Sequence, residues 1–460
     1  MLAIAVLGAP TILSVLGASA FSPGELGAFF LVYSISLVLS IVIDFGLSYI
    51  VLAEFRMRKP AREEILILLA LRLLLLLVVC WTLPLVHFRM GAVDRLFLLL
   101  LTIPGALTFV QNGAVASRAI KPILAAGTLQ LVVAYGSLIG CIVVRDLHLF
   151  VYGFCAGRLI ASLVLLGPML SRDDTGRSAR SPAADLGWVS RTSTRGAKMF
   201  VNAAMGVVFN WFGFWLIAWL TSTQEAGRFR VAQGIGAIAG VMQQYFQYQV
   251  TPSIAESFSR SSSAALDRAV TYLRHIRYLS LIVLLYAITA IPYYLEHYAH
   301  TDFRDAKIPA ILMVSSYLLG AISMPLYSLM ISSSNETSLV NISVVSAFAT
   351  VLINFGLVPR FGAIGAAISA VLSVSIGLSL LIVRAAQICG RSVFTISRWT
   401  VVPASAELKV VVLLSIGLLA TTHFLPTASL WLNSITVAFL LLLIQKKFDQ
   451  PPTQPFGARV

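Results

Sequence analysis

FSPGELGAFFLVYSISLVLSIVIDFGLSYIV, residues 21–51, decides the fold class. Between Phe29 and Ile43 it holds no charged side chain, and the apolar run it belongs to extends over 28–53. A helix needs about 20 apolar residues to cross roughly 30 Å of hydrocarbon. The run is therefore read as one membrane crossing, entered through a short turn at Pro23 and Gly24.

The rest of the chain repeats that character. Of 460 residues, 58% are hydrophobic and 11% charged, with a mean hydropathy of +0.89. A soluble domain carries about 25% charged residues, so this composition predicts an all-α polytopic membrane protein. Windows of spanning length give fourteen segments: 2–20, 28–53, 65–86, 95–113, 122–144, 147–170, 199–221, 231–252, 278–295, 309–331, 338–358, 363–386, 408–425 and 428–445. The first run starts at Leu2 with no basic segment before it, so it is read as a span and not as a cleavable signal peptide.

The net charge of +14 would suggest nucleic acid in a soluble protein. Here it follows from cytoplasmic loops collecting Lys and Arg. With fourteen spans and both termini inside, 23 of the 33 basic residues fall on the inner side and eight on the outer. Arg72 and Arg158 lie within spans. The expected organisation is an N-lobe of six helices over 1–170, a cytoplasmic linker over 171–198, a C-lobe of six helices over 199–386, a cytoplasmic connection over 387–407, two extra helices over 408–445, and a cytoplasmic tail over 446–460. In the connection before the ninth span, Leu266, Ala269, Val270, Leu273 and Ile276 recur at helical spacing opposite Arg268, Arg274 and Arg277. That pattern predicts a basic helix lying on the inner leaflet, or an extension of the next span.

The opening segment also has an echo. Glu25, Gly27 and Phe29 return 200 residues later as Glu225, Gly227 and Phe229, each triplet in an outward turn. A unit of six helices is even, so both copies cross in the same direction. Parallel repeats of this kind are related by an axis along the membrane normal, with the substrate site between them near the midplane.

These features resemble the bacterial oligosaccharide flippases of the multidrug/oligosaccharidyl-lipid/polysaccharide (MOP) superfamily. Pro23, Glu25, Gly27 and Phe29 fit that family's turn, and Asp44, Phe45, Gly46 and Leu47 fit the end of its second helix. In NISVVSAFATVLINFGLVPRFGAIGAAIS, residues 341–369, Asn354, Pro359, Arg360, Gly362, Gly365, Ala366 and Ala367 fit the approach to its twelfth helix. Helices thirteen and fourteen exceed the family's twelve-helix core. The resemblance implies a MOP-type fold and flipping of an undecaprenyl-diphosphate-linked oligosaccharide across the inner membrane by alternating access. It further implies partners among the polysaccharide polymerase and the chain-length and export machinery, besides the membrane lipids themselves. No cofactor and no metal is expected.

A pyrophosphate headgroup needs fixed cations in a polar cavity, and a charge inside a span usually faces such a cavity or a partner. Arg72 and Arg158 are the leading contacts, because a guanidinium offers phosphate a planar fork and keeps its charge. Arg72 has a second reading, since Asp44 on the second helix lies at a similar depth and could brace it. Asp44 could alternatively serve as a coupling carboxylate. On the eighth helix Gln243, Gln244, Gln247 and Tyr248 cluster within six residues. Amides and phenols hydrogen-bond sugar hydroxyls without charge, and they also join helices. Trp211, Trp215 and Trp219 form a stripe on the seventh helix, facing lipid, a neighbouring helix or a sugar. There is no phosphate-binding loop, nucleophile elbow or H-E-x-x-H. A multidrug or cation exporter of the same superfamily would favour buried carboxylates over arginines, and a polysaccharide polymerase would need a large outward loop.

Overall fold

The computed structural model describes residues 2–44, 62–82, 120–170, 186–333 and 336–393, with isolated positions between 96 and 110 and at 395–396. All described secondary structure is helical. In chain order the helices are α1 (Leu2–Leu16), α2 (Pro23–Asp44), α3 (Arg62–Thr82), α4 (Ile120–Val144), α5 (Leu147–Leu170), α6 (Leu186–Leu220), α7 (Thr223–Arg260), α8 (Ser262–His297), α9 (Lys307–Ser332) and α10 (Glu336–Cys389). Short 3-10 turns follow α1 at Gly17–Ser19 and precede α9 at Thr301–Ala306.

α2 starts five residues before the apolar run does, for a local reason. Ser22 caps it: the Ser22 hydroxyl accepts from the Glu25 amide at 3.4 Å, while Glu25 Oε2 accepts from the Ser22 amide and hydroxyl at 2.8 Å each. This reciprocal Ser-x-x-Glu arrangement satisfies amides that the helix cannot, and Pro23 sits at the first helical position where its missing N–H costs nothing.

Seven described stretches are long and apolar enough to cross a membrane: Pro23–Asp44, Lys121–Val144, Leu147–Gly167, Ala203–Leu220, Ser262–His297, Thr301–Ser332 and Thr337–Cys389. The count of fourteen is thus not established. α7 is long but too polar to qualify, and the apolar stretch described in α3 is the shorter Ile65–Val78. The expected span 95–113 falls largely outside the described residues, and 408–425 and 428–445 fall wholly outside them. α10 is two arms, because Gly362 breaks it with φ 52° and ψ −128°. That backbone is open essentially to glycine. Gly365 answers a second need, since a Cβ there would stand 2.5 Å from the Leu357 carbonyl oxygen. Both glycines of the family-like motif are explained by this bend, which falls between the expected spans 338–358 and 363–386.

The chain divides into two packed units, Met1–Ala218 and Trp219–Val460. In the first, α4 and α5 form a hairpin, α1 packs on α4, and α2 meets α3. α6 belongs to this unit by packing: Trp215 Nε1 donates to Ser34 Oγ on α2 at 2.7 Å, and the Trp211 and Tyr33 rings lie 6.0 Å apart. Its first residues, 186–198, continue as helix a stretch that the sequence reads as linker.

In the second unit α9 is central, packed by α7, α8 and α10. The stripe Leu266, Ala269, Val270, Leu273 and Ile276 is buried in this core, and α8 runs unbroken from Ser262 to His297. The expectation of a surface helix on the inner leaflet is therefore corrected in favour of an extended span. The apolar stripe finds protein on α7, α9 and α10, which leaves it nothing to offer a lipid surface. Outward-facing apolar residues such as Val143 and Phe348, 76% and 63% exposed, form the surface that acyl chains would cover.

α7 and α9 approach closely through Gly236 and Gly240, a small-xxx-small spacing. A Cβ at Gly236 would lie 2.9 Å from the Met313 carbonyl carbon, whereas at Gly240 it would meet the Tyr317 ring edge at 2.7 Å. A ring can rotate and a backbone cannot. Gly236→Ala is expected to cost about 1–3 kcal/mol and to lower the thermal unfolding temperature of the protein in lipid nanodiscs more than Gly240→Ala does. Equal effects would show that the α7–α9 contact adjusts freely.

Candidate functional site

Buried Arg72 and Arg230, half-buried Arg158 and one repeated turn carry the polar chemistry described below. Arg72, on α3, is fully buried. Its Nη2 donates to Asp44 Oδ1 at the end of α2 and, at 3.3 Å, to the Asp44 backbone carbonyl. The bracing partner named from depth alone is therefore present. The carboxylate compensates the buried cation, and the second contact ties the guanidinium to the Asp44 backbone carbonyl.

Arg158 lies on α5, one helical turn after Phe154, whose ring centroid is 5.8 Å from the guanidinium carbon. Tyr33 of α2 is within electrostatic reach. Around them runs an aromatic chain. Phe29 packs edge-on against Phe150 at 6.0 Å, Phe150 stacks on Phe154 at 5.4 Å, and Tyr33 leads to Trp211, which meets Phe214 at 5.7 Å. Tyr33 of α2 and Phe154 of α5 thus flank the arginine, and α6 packs on α2 through Trp211. The expected tryptophan stripe splits: Trp211 and Trp215 face α2, while Trp219 is 77% exposed.

The third arginine was not singled out from sequence. Arg230 counts there as an outward-connection cation, but it lies in α7, is 6% exposed, and donates from Nη1 to Gln233 Oε1 at 2.8 Å. Tyr317 of α9 is its electrostatic neighbour. The signal available was its position immediately after Phe229, inside the helix that the repeated turn opens. Arg277, also assigned to a connection, is 5% exposed in the middle of α8. Gln243, Gln244, Gln247 and Tyr248 belong to α7, but their side chains lie outside the described residues.

The repeated turn has a purpose that the sequence hides. Ser222 caps α7 by accepting from the Glu225 amide at 3.1 Å, as Ser22 does for Glu25. Glu225 then reaches elsewhere: Oε2 accepts from Arg228 at 3.2 Å, and Oε1 accepts from the Ala363 amide at 3.4 Å, just past the Gly362 bend. Arg228 in turn donates to the Asp302 carbonyl at 2.8 Å. In the first unit Glu25 faces the α4–α5 turn across a cleft, and there Arg145 adopts φ 58°. There Asp146 caps the following helix itself, accepting from the His148 amide at 2.9 Å. One need, a carboxylate for the amides opening the hairpin's second helix, is met from across the unit in one copy and locally in the other. Ser-x-x-Glu at a spacing of 200 was the legible part of this device.

No protein-family model matches the chain, and no curated protein matches it in sequence. Solved structures match it in fold. A lipid II flippase, MurJ, in an inward closed conformation superposes with a TM-score of 0.69 at 12% identity, covering 97% of this chain and 98% of that one. A multidrug resistance MATE family transporter of the MOP superfamily, inward-facing, gives 0.63 at 15% identity, covering 85% and 96%. A MATE protein in complex with MaL6 gives 0.57 at 13% identity, covering 84% and 94%. At these identities the likeness establishes the architecture: this is a multi-pass helical chain with the transporter fold shared by MurJ and the MATE proteins of the MOP superfamily.

Proposed function

We propose that the protein flips an undecaprenyl-diphosphate-linked oligosaccharide across the bacterial inner membrane by alternating access, for the assembly of a surface polysaccharide. The observation that carries this reading is Arg158, a cation held within α5 among Tyr33 and Phe154. A guanidinium at that depth suits a phosphorylated headgroup. The protein named a lipid II flippase, which shares the fold over nearly the full length of both chains, gives a precedent for moving a lipid-linked substrate on this architecture. Arg72, Gln243, Gln244, Gln247 and Tyr248 are proposed as further contacts to headgroup and glycan, with Asp44 structural. Both termini are proposed to be cytoplasmic, from the distribution of Lys and Arg.

Multidrug or cation efflux is the second reading, favoured by the MATE likeness. Such a substrate seeks a buried carboxylate. Asp44 is committed to Arg72, and a cationic drug would have to displace that guanidinium. A polymerase is disfavoured by the transporter fold.

The test is a deletion strain analysed for lipid-linked intermediates and polymer. Complete, unpolymerised repeat units accumulating on the inner leaflet are expected. Normal outward delivery together with lost resistance to cationic drugs would replace flipping by efflux.

A further inference from the structure

The difference between the two repeated turns leaves an opening in the first unit. In the second unit Glu225 closes the space beside the Gly362 bend. In the first, Glu25 is held back by Ser22, and Asp146 has taken over the cap of α5. Between them lies a cleft of about 310 Å³, lined by Phe21, Glu25, Phe29, Arg145, Asp146 and His148. That volume is at the lower end for small-molecule sites, which combine apolar walls with a few placed polar groups.

The polar groups there have unused capacity. Both hydrogen bonds to the Glu25 carboxylate fall on Oε2, which leaves Oε1 available. Asp146 accepts the α5 amide through Oδ1, which leaves Oδ2 available. The Arg145 guanidinium hydrogen-bonds to none of the described residues, and its backbone holds a left-handed conformation that an arginine rarely adopts. Two carboxylate acceptors and a five-donor cation around buried phenylalanines suit a ligand that donates and accepts over one face and is apolar on the other. A pyranose ring has that chemistry. A phosphate would be repelled by the two carboxylates, and no three metal-ligating groups converge among the described residues.

We propose that this cleft is a sugar subsite, in which Glu25, Arg145 and Asp146 hydrogen-bond the hydroxyls of one pyranose residue of the transported glycan. The proposal rests on the flippase reading for the source of its ligand. Its position agrees with that reading: His148 at the cleft and Arg158 lie on the same helix, ten residues or about 15 Å apart along its axis. A short oligosaccharide spans that distance, with its pyrophosphate at Arg158 and a sugar at the turn.

The test uses the full chain in lipid nanodiscs. The probe is a water-soluble oligosaccharide released by mild acid from the source organism's own surface polysaccharide, followed by saturation-transfer NMR. Two variants address the cleft. Ala28→Trp fills it from an exposed lining position. Arg145→Gly removes the guanidinium while relieving the backbone, so its thermal unfolding is expected to match or exceed the parent's. The parent is expected to bind the probe, Ala28→Trp to weaken binding about tenfold or more, and Arg145→Gly to weaken it several-fold. Inorganic pyrophosphate is expected not to displace the probe from the cleft. Absence of binding by the parent, or undiminished binding by Arg145→Gly, overturns the subsite. The deletion-strain result is independent of this one: inner-leaflet accumulation with no sugar in the cleft removes the subsite alone, and normal delivery removes the flippase whatever the cleft binds.

Discussion

Arg158→Ala is expected to abolish polymer production in a deletion strain while leaving the amount of protein in the membrane unchanged. The guanidinium sits on α5 above Phe154 and near Tyr33, and the surrounding aromatic contacts between α2, α5 and α6 are made by other residues. Truncating Arg158 therefore leaves the packing of Phe29, Phe150, Trp211 and Phe214 in place. If it binds the headgroup, removing one partner of a desolvated charge pair costs about 2–5 kcal/mol, or roughly 30-fold to a few thousand-fold in affinity. Arg158→Lys keeps the charge and loses the planar fork, so partial polymer is expected from it. Immunoblotting of membranes beside polymer quantification checks both. Full polymer from Arg158→Ala would remove this residue from the mechanism.

Asp44→Ala should have the largest effect on stability. It would leave the Arg72 guanidinium fully buried with its carboxylate partner gone. Breaking such a pair from one side costs about 3–5 kcal/mol, whereas replacing both members by groups of similar size is often neutral. Asp44→Ala is thus expected to lower protein level and thermal stability sharply, and the double variant Asp44→Asn with Arg72→Met to recover most of both. The double variant also decides what Arg72 does. If it restores protein and polymer together, Arg72 only braces α2 against α3. If it restores protein without polymer, Arg72 also touches the substrate. An Asp44→Ala protein as stable as the parent would mean that the pair holds nothing together.

These two residues show how much of the site was legible. Asp44 and Arg72 are 28 positions apart on consecutive helices, and depth counted in helical turns was enough to pair them. For Arg158 the same counting gave a depth and no neighbours. Its neighbour Tyr33 comes from α2, and α2 is held against α6 by Tyr33 meeting Trp211 and Ser34 meeting Trp215, contacts made across more than 170 residues. Arg230 was misplaced for a different reason. A hydropathy window begins where charges stop, so a buried arginine at a helix start is read as part of the preceding loop.

Local chemistry settled what this chain is made of. Apolar runs of spanning length and scarce charge dictate a polytopic helical protein, and the Ser-x-x-Glu turns at 22 and 222 start their helices, because each is set by transfer into hydrocarbon or by capping within a few residues. Tertiary structure settled which helices meet within each unit. Glu25 and Glu225 open the same motif, yet one folds back on its own serine while the other crosses to the Ala363 amide. The choice turns on whether a distant helix brings its own cap, as Asp146 does and Ala363 cannot. Such competition for one set of backbone amides is decided by residues more than a hundred positions away, beyond the reach of any window of sequence.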